Sequence, residues 1–121
     1  MAVGNRVVWF EVVGSDGGGL RTFYSDLFGW PIQIADGDQD YGLVDGGEGG
    51  IGGGIGASQD GGPGHVTFFV EVDDPAAYLS KAEKLGGTVV VPPTEIATYN
   101  LTFAYFLDPQ GHLIGLSRGA A

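Results

Sequence analysis

Hydrophobic and polar positions change period several times along the chain, and each change marks an element. Val7 to Val13 (Val-Val-Trp-Phe-Glu-Val-Val) is rich in β-branched and aromatic residues, so a strand is predicted there. Val7, Trp9, Glu11 and Val13 share one face; Val8, Phe10 and Val12 form a purely apolar face that should meet a helix. Gly14 to Gly19 reads as a loop. Leu20, Phe23, Tyr24, Leu27 and Phe28 then recur at i, i+3, i+4, i+7 and i+8, the apolar stripe of a helix. Gly29 stops that helix and Pro31 forbids its return. Short strands are predicted at 32–34, 41–44 and 50–55, with an acidic loop over 35–40.

The pattern restarts after Gln-Asp-Gly-Gly-Pro-Gly at 59–64, which reads as a linker. His65 to Val72 is a strong strand. Asp74 can cap a helix whose first residue is Pro75, and Gly86-Gly87 ends it. Tyr78, Ala82 and Leu85 lie on one face of that helix, and Lys81 and Lys84 favour its C-terminal half. Thr88 to Val91 is a strand broken by Pro92-Pro93, and strands follow at 101–107 and 113–116. The order is therefore β-α-β-β-β twice: module 1 at about 6–58, a linker at 59–64 and module 2 at about 65–118, within one domain of 121 residues. The two turns that open the last strand of each module match. Asp45 leads to Ile51-Gly52 as Asp108 leads to Ile114-Gly115.

Composition changes the picture in three respects. Twenty-four glycines, without a collagen period, mark turns and places where something approaches the backbone closely. A net charge of −10, from 5 basic and 15 acidic residues, offers nucleic acid no basic patch and would repel phosphates. The absence of cysteine excludes disulfides, thiolate metal sites and cysteine nucleophiles. No run approaches the ~18 apolar residues of a membrane helix, and Met1 to Arg6 shows no charged and apolar leader. A cytoplasmic protein with no membrane partner is the expectation.

Four motifs on this repeated frame carry a family resemblance. They are Phe23-Tyr24-Ser25-Asp26-Leu27-Phe28-Gly29-Trp30, Val72-Asp73-Asp74-Pro75, Leu85-Gly86-Gly87 and Asp108-Pro109-Gln110-Gly111-His112. In this order they make the chain resemble the vicinal oxygen chelate superfamily, which includes glyoxalase I, extradiol dioxygenases, methylmalonyl-CoA epimerase and the bleomycin and fosfomycin resistance proteins. The resemblance implies an α+β fold in which two βαβββ modules form an open, curved mixed-sheet barrel, usually in a homodimer. It also implies a site inside the barrel, where metal-using relatives hold an ion with His, Gln or Glu from the first and last strand of each module. Carried over residue by residue, those four positions fall at Trp9, Gly52, Thr67 and Gly115. Three of these have no metal-binding side chain and threonine is a poor ligand, so neither a metal nor another cofactor is expected.

The reading that follows is a metal-independent protein that holds a small molecule, aromatic or polycyclic, in the barrel cleft. Its ligand-binding residues would be Trp9, Glu11, Gly52, Thr67, Phe69, Phe103, Tyr105 and Gly115, with Trp9 as a stacking platform and the two glycines leaving room for a flat ligand. The alternative is a metal-independent lyase, isomerase or cyclase with Glu11 or His65 as general base. A metal held atypically by His65, Glu71 and Glu11, and a standard metal-dependent glyoxalase or dioxygenase, rank below these. His112 is expected to be a solvent-facing turn residue. Asp36 to Asp40 opens like a calcium loop, but Tyr41 and Gly47 stand where glycine and glutamate are needed. Gly47 to Gly52 fits G-x-G-x-x-G with no helix to follow it.

Overall fold

A computed structural model describes residues 4–36 and 40–119. Residues 37–39 of the predicted acidic loop, and with them most of the calcium-like motif, lie outside the described residues, as do residues 1–3 of the N-terminus. The chain divides into two compact units, Trp9–Thr67 and Met1–Val8 with Phe68–Ala121.

The first unit is built on strand β1 (Val7–Gly14), whose first two residues belong to the second unit, helix α1 (Gly17–Phe28) and strands β2 (Ile32–Ile34), β3 (Tyr41–Val44) and β4 (Gly52–Ala57). Its sheet runs β2-β3-β4-β1, with β1 and β4 parallel and the other pairs antiparallel. The helix starts three residues before its apolar stripe, inside the predicted loop. Asp16 caps it there, its carboxylate accepting from Gly19 N at 2.9 Å. Gly29 ends it with φ +71°, where a side chain would be strained, and its N–H donates to Ser25 O. On the sheet face toward α1, the Phe10 ring lies 5.3 Å from that of Trp30, which stacks on Tyr24 at 5.9 Å. The apolar face of β1 thus meets the helix side as its pattern requires, and Trp9 and Glu11 project from the opposite face.

The second unit repeats the topology. It holds β5 (His65–Glu71), whose first three residues belong to the first unit, α2 (Pro75–Lys84), β6 (Thr88–Ile96), β7 (Leu101–Leu107) and β8 (Leu113–Arg118). Its sheet runs β5-β8-β7-β6, again with one parallel pair, β5 and β8. Asp74 caps α2 as Asp16 caps α1, and Pro75 takes the first turn. The core beneath α2 is Val72, Leu79, Ala104 and Leu116, with Val70, Tyr78, Val89 and Phe106 packed against it.

Two details differ from the periodicity. Leu79 is the buried anchor of α2, whereas Leu85 lies past the helix end and is 69 % exposed. Strand β6 also runs through Pro92-Pro93 to Ile96 and is followed by a single 3-10 turn, Ala97–Tyr99. The prolines are tolerated because β6 is the edge of its sheet, where a missing N–H breaks no ladder, and the register shifts twice along its pairing with β7.

Candidate active site

The most concentrated polar chemistry in the first unit lies on the sheet face turned away from α1. The alternation of β1 places Trp9 and Glu11 there, two residues apart. Glu11 is opposite Gly54 of β4 in the parallel register, and Tyr41 of β3 is opposite Gly56. The Tyr41 phenol therefore leans across the bare backbone of Gly54 toward Glu11, over a place no side chain could share. His65, the first residue of β5, completes the group.

These four side chains form one hydrogen-bonded chain. Trp9 Nε1–H donates to the Tyr41 hydroxyl at 3.3 Å. That hydroxyl donates to Glu11 Oε2 at 2.7 Å. His65 Nε2 lies 2.7 Å from Glu11 Oε1, so the imidazole donates there in its Nε2–H or protonated form. Glu11 is only 6 % exposed, and each of its oxygens receives a short, charge-assisted hydrogen bond. The His65 side chain keeps 25 % of its surface in solvent. Burial pushes the Tyr41 phenol far above its ordinary value, and the Glu11 carboxylate beside it pushes in the same direction; the Trp9 hydrogen bond opposes them. Tyr41 is consequently a fixed neutral donor.

A buried carboxylate with a neutral donor on one oxygen and an imidazole on the other is suited to moving a proton. The carboxylate orients the imidazole and stabilises the imidazolium that forms when the ring takes a proton. The Tyr41 hydroxyl holds the carboxylate in place, and Trp9 holds the hydroxyl.

The four positions at which the superfamily carries metal ligands do not fit a metal. Trp9 and Gly52 are register partners, and a Cβ on Gly52 would sit 3.1 Å from the Trp9 ring. In the second unit the register partner of Gly115 is Phe69 rather than Thr67, and the Phe69 ring covers the place where a Gly115 side chain would be. Tyr105 pairs with Gly115 from the other side, its ring centroid 5.3 Å from that of Phe69. The space left by Gly52 and Gly115 is thus used by the protein's own aromatic rings, not left open for a flat ligand. Thr67 is 7 % exposed and brings only a hydroxyl. Among the described residues no three His, Asp or Glu side chains gather closely enough to hold an ion.

The remaining candidates disperse. Phe103 lies edge-on to Tyr105 at 5.8 Å and extends the aromatic row of the second unit. The Glu71 carboxylate pairs with Arg6 at 2.9 Å. His112 is exposed in the β7–β8 turn, with Nδ1 3.0 Å from Asp108 Oδ2. Tyr41 was not singled out by the sequence pattern, although the glycines opposite it were a usable signal. Gly54 and Gly56 in a strand announce that something lies against the backbone.

The comparisons with known proteins agree with this architecture. The structure resembles methylmalonyl-CoA epimerase from Mycobacterium tuberculosis, with a TM-score of 0.68 at 18 % identity over 100 % of this chain and 94 % of that one. It also resembles a glyoxalase/bleomycin resistance protein/dioxygenase superfamily member from Vibrio splendidus, with a TM-score of 0.64 at 15 % identity over 95 % and 99 %. The fold is that of the vicinal oxygen chelate superfamily. The model of the glyoxalase-like domain family matches residues 11–117, and the chain belongs to that family. Proteins named "Putative glyoxylase CFP32" from Mycobacterium bovis and Mycobacterium tuberculosis are 29 % identical over 117 residues. The chain spans 44 % of the length of these curated relatives. No described helix is long and apolar enough to cross a membrane.

Proposed function

We propose that this domain binds a small organic carbonyl compound on the sheet face that carries Trp9 and His65, and that the Glu11–His65 pair moves a proton on it without a metal ion. The observation that carries the reading is the buried Glu11 carboxylate held between Tyr41 and His65 at 2.7 Å on each oxygen. In the reaction His65 takes the proton from the carbon next to the carbonyl, leaving an enolate. Glu11 stabilises the imidazolium, whose proton exchanges with water, and a proton returns to the carbon it left or, where a 2-hydroxyketone gives an enediolate, to the neighbouring carbon. Proton removal and return balance, and no co-reactant besides water is needed. The Trp9 ring would lie against the planar part of the bound molecule. The names of similar proteins, an epimerase of an acyl-CoA and a glyoxylase, are consistent with a carbonyl substrate.

A second reading is retention of an aromatic ligand without turnover. It is favoured by the packed row of Phe69, Tyr105 and Phe103 in the second unit. One experiment separates the two. A panel of 2-oxoaldehydes, 2-hydroxyketones and acyl thioesters is incubated with chelator-treated protein in D₂O. Proton NMR follows deuterium entering beside the carbonyl, while tryptophan fluorescence follows binding. Exchange that disappears in His65→Ala supports proton transfer. Quenching by aromatic compounds with no exchange anywhere in the panel supports retention. Exchange that His65→Ala leaves intact contradicts the proposal.

A further inference from the structure

Helix α2 is only partly seated on its sheet. Leu79 is buried and anchors it to the core. Beside that anchor, Tyr78, Lys81, Ala82 and Leu85 recur at i, i+3, i+4 and i+7, the spacing of a helix stripe that normally packs. Tyr78 reaches the core, but the stripe as a whole lines a cavity of about 360 Å³. Val70 of β5, Phe106 of β7 and Leu116 of β8 form the opposite wall. Leu85, at the end of the stripe, keeps 69 % of its surface in solvent and marks the mouth.

The cavity is held open by its frame. At the start of α2 the Asp74 carboxylate accepts from Ala77 N–H at 3.2 Å, and Pro75 is buried. At the other end Gly87 N–H donates to Ala82 O at 2.8 Å, and a Cβ at position 87 would lie 2.8 Å from Leu107 O. The chain leaving the helix is thus already in contact with β7 and cannot settle further onto the sheet. A cavity of this size lies at the lower end of the ~300–1,000 Å³ of small-molecule sites, which are mostly apolar with a few polar groups.

Charge selects the occupant. Of the five basic residues, Arg6 pairs with Glu71 and Arg21 with Asp40. Lys81, which lines the cavity, has no ion-pair partner among the described residues. Asp108 also lines it, but its carboxylate is committed to its own turn, accepting from Gln110 and His112 N–H at 2.9 Å each and lying 3.0 Å from His112 Nδ1. We propose that the cavity under α2 binds a small monocarboxylic acid, its apolar body against Val70, Phe106 and Leu116 and its carboxylate on the Lys81 ammonium. The net charge of −10 opposes an anion at long range but is screened beyond ~8 Å at physiological salt, whereas Lys81 acts at contact. This site is separate from the Glu11–His65 pair, whose residues belong to the first unit while the cavity is lined entirely from the second.

The test is an amide NMR titration of the whole chain with sodium octanoate and, as its neutral counterpart, octanamide. Octanoate should shift the amides of Tyr78, Ala82, Phe106 and Leu116 and reach saturation. Octanamide should bind about tenfold more weakly, the effect of losing one charge-assisted hydrogen bond. Lys81→Gln, at an exposed position, should remove that difference by bringing octanoate down to the level of octanamide. Ala82→Phe should fill the cavity and abolish binding of both. If Ala82→Phe fails to fold, Lys81→Gln decides alone. The proposal is overturned if octanoate gives no saturable shifts, if wild type binds the two probes equally, or if octanoate binds Lys81→Gln or folded Ala82→Phe as it binds wild type. Shifts confined to Trp9, Glu11 and His65 would place the binding on the first unit and overturn it equally.

Discussion

The Tyr41 phenol fills the space that a side chain at Gly54 would need. A Cβ at position 54 would overlap the phenol oxygen and ring. Gly54→Ala therefore forces Tyr41 off Glu11 or pushes β3 away from β4. The expected cost is about 1–3 kcal/mol, the range for overpacking a well-filled site. Urea unfolding measures it, with Gly4→Ala as the control, since nothing lies within 4 Å of a Cβ there.

Removing the phenol oxygen asks a different question of the same contact. Tyr41→Phe keeps the ring over Gly54 but takes a hydrogen-bond donor from Glu11 and the acceptor from Trp9. About 1–3 kcal/mol of stability should be lost, because a nearly buried carboxylate forfeits a hydrogen bond. The environment of Trp9 should change as well. Unfolding by urea and the tryptophan emission maximum, read on the same samples, check both effects.

Alkaline pH should act through Tyr41. Its folded value is raised above the unfolded value of about 10. The contribution to stability is therefore fully present below pH ~10 and is lost as pH rises toward the folded value. Wild-type protein should show an alkaline loss of stability beginning near that pH, with one phenol ionising only as the chain unfolds. Tyr41→Phe should flatten this limb. Tyrosine absorbance near 295 nm, followed together with circular dichroism, reports the two events separately.

Acid pH should act through the β7–β8 turn. Backbone hydrogen bonding from His112 holds the Asp108 carboxyl below its usual value, and the His112 side chain, Gln110 N–H and imidazole charge reinforce it. A lowered folded value means stability that is present above the unfolded value and lost as pH falls through the folded one. Below pH ~4 the wild type should lose stability more steeply than Asp108→Ala, as thermal unfolding across an acid series would show.

Much of the fold was legible in the sequence because each element carries its own local signal. The apolar stripe that begins at Leu20, the cap Asp74 and the stop at Gly29 all act within a few residues. The extension of β6 past Pro92-Pro93 was not legible. Whether proline breaks a strand depends on whether that strand is an edge, and this is fixed only by the neighbouring strands. The site divides in the same way. Trp9, Glu11 and His65 could be singled out from residue type and strand face. Their union with Tyr41 could not, because it depends on the register of β3 against β4. Gly115 shows the converse: its missing ligand was plain in the chain, but only the pairing with Phe69 shows what fills the space.

The proposed joint action of Glu11 and His65 on a proton, without a metal, can be tested in one experiment. The most direct measurement compares solvent deuterium exchange into a responding carbonyl compound for chelator-treated wild type and Glu11→Gln, with protein-bound metal assayed in the same samples. The wild type should exchange with no stoichiometric divalent ion, and Glu11→Gln should lose about 10²–10⁴-fold, the range for removing general acid–base assistance. Exchange that appears only when a divalent ion is restored, or that is equal in the two proteins, would contradict it.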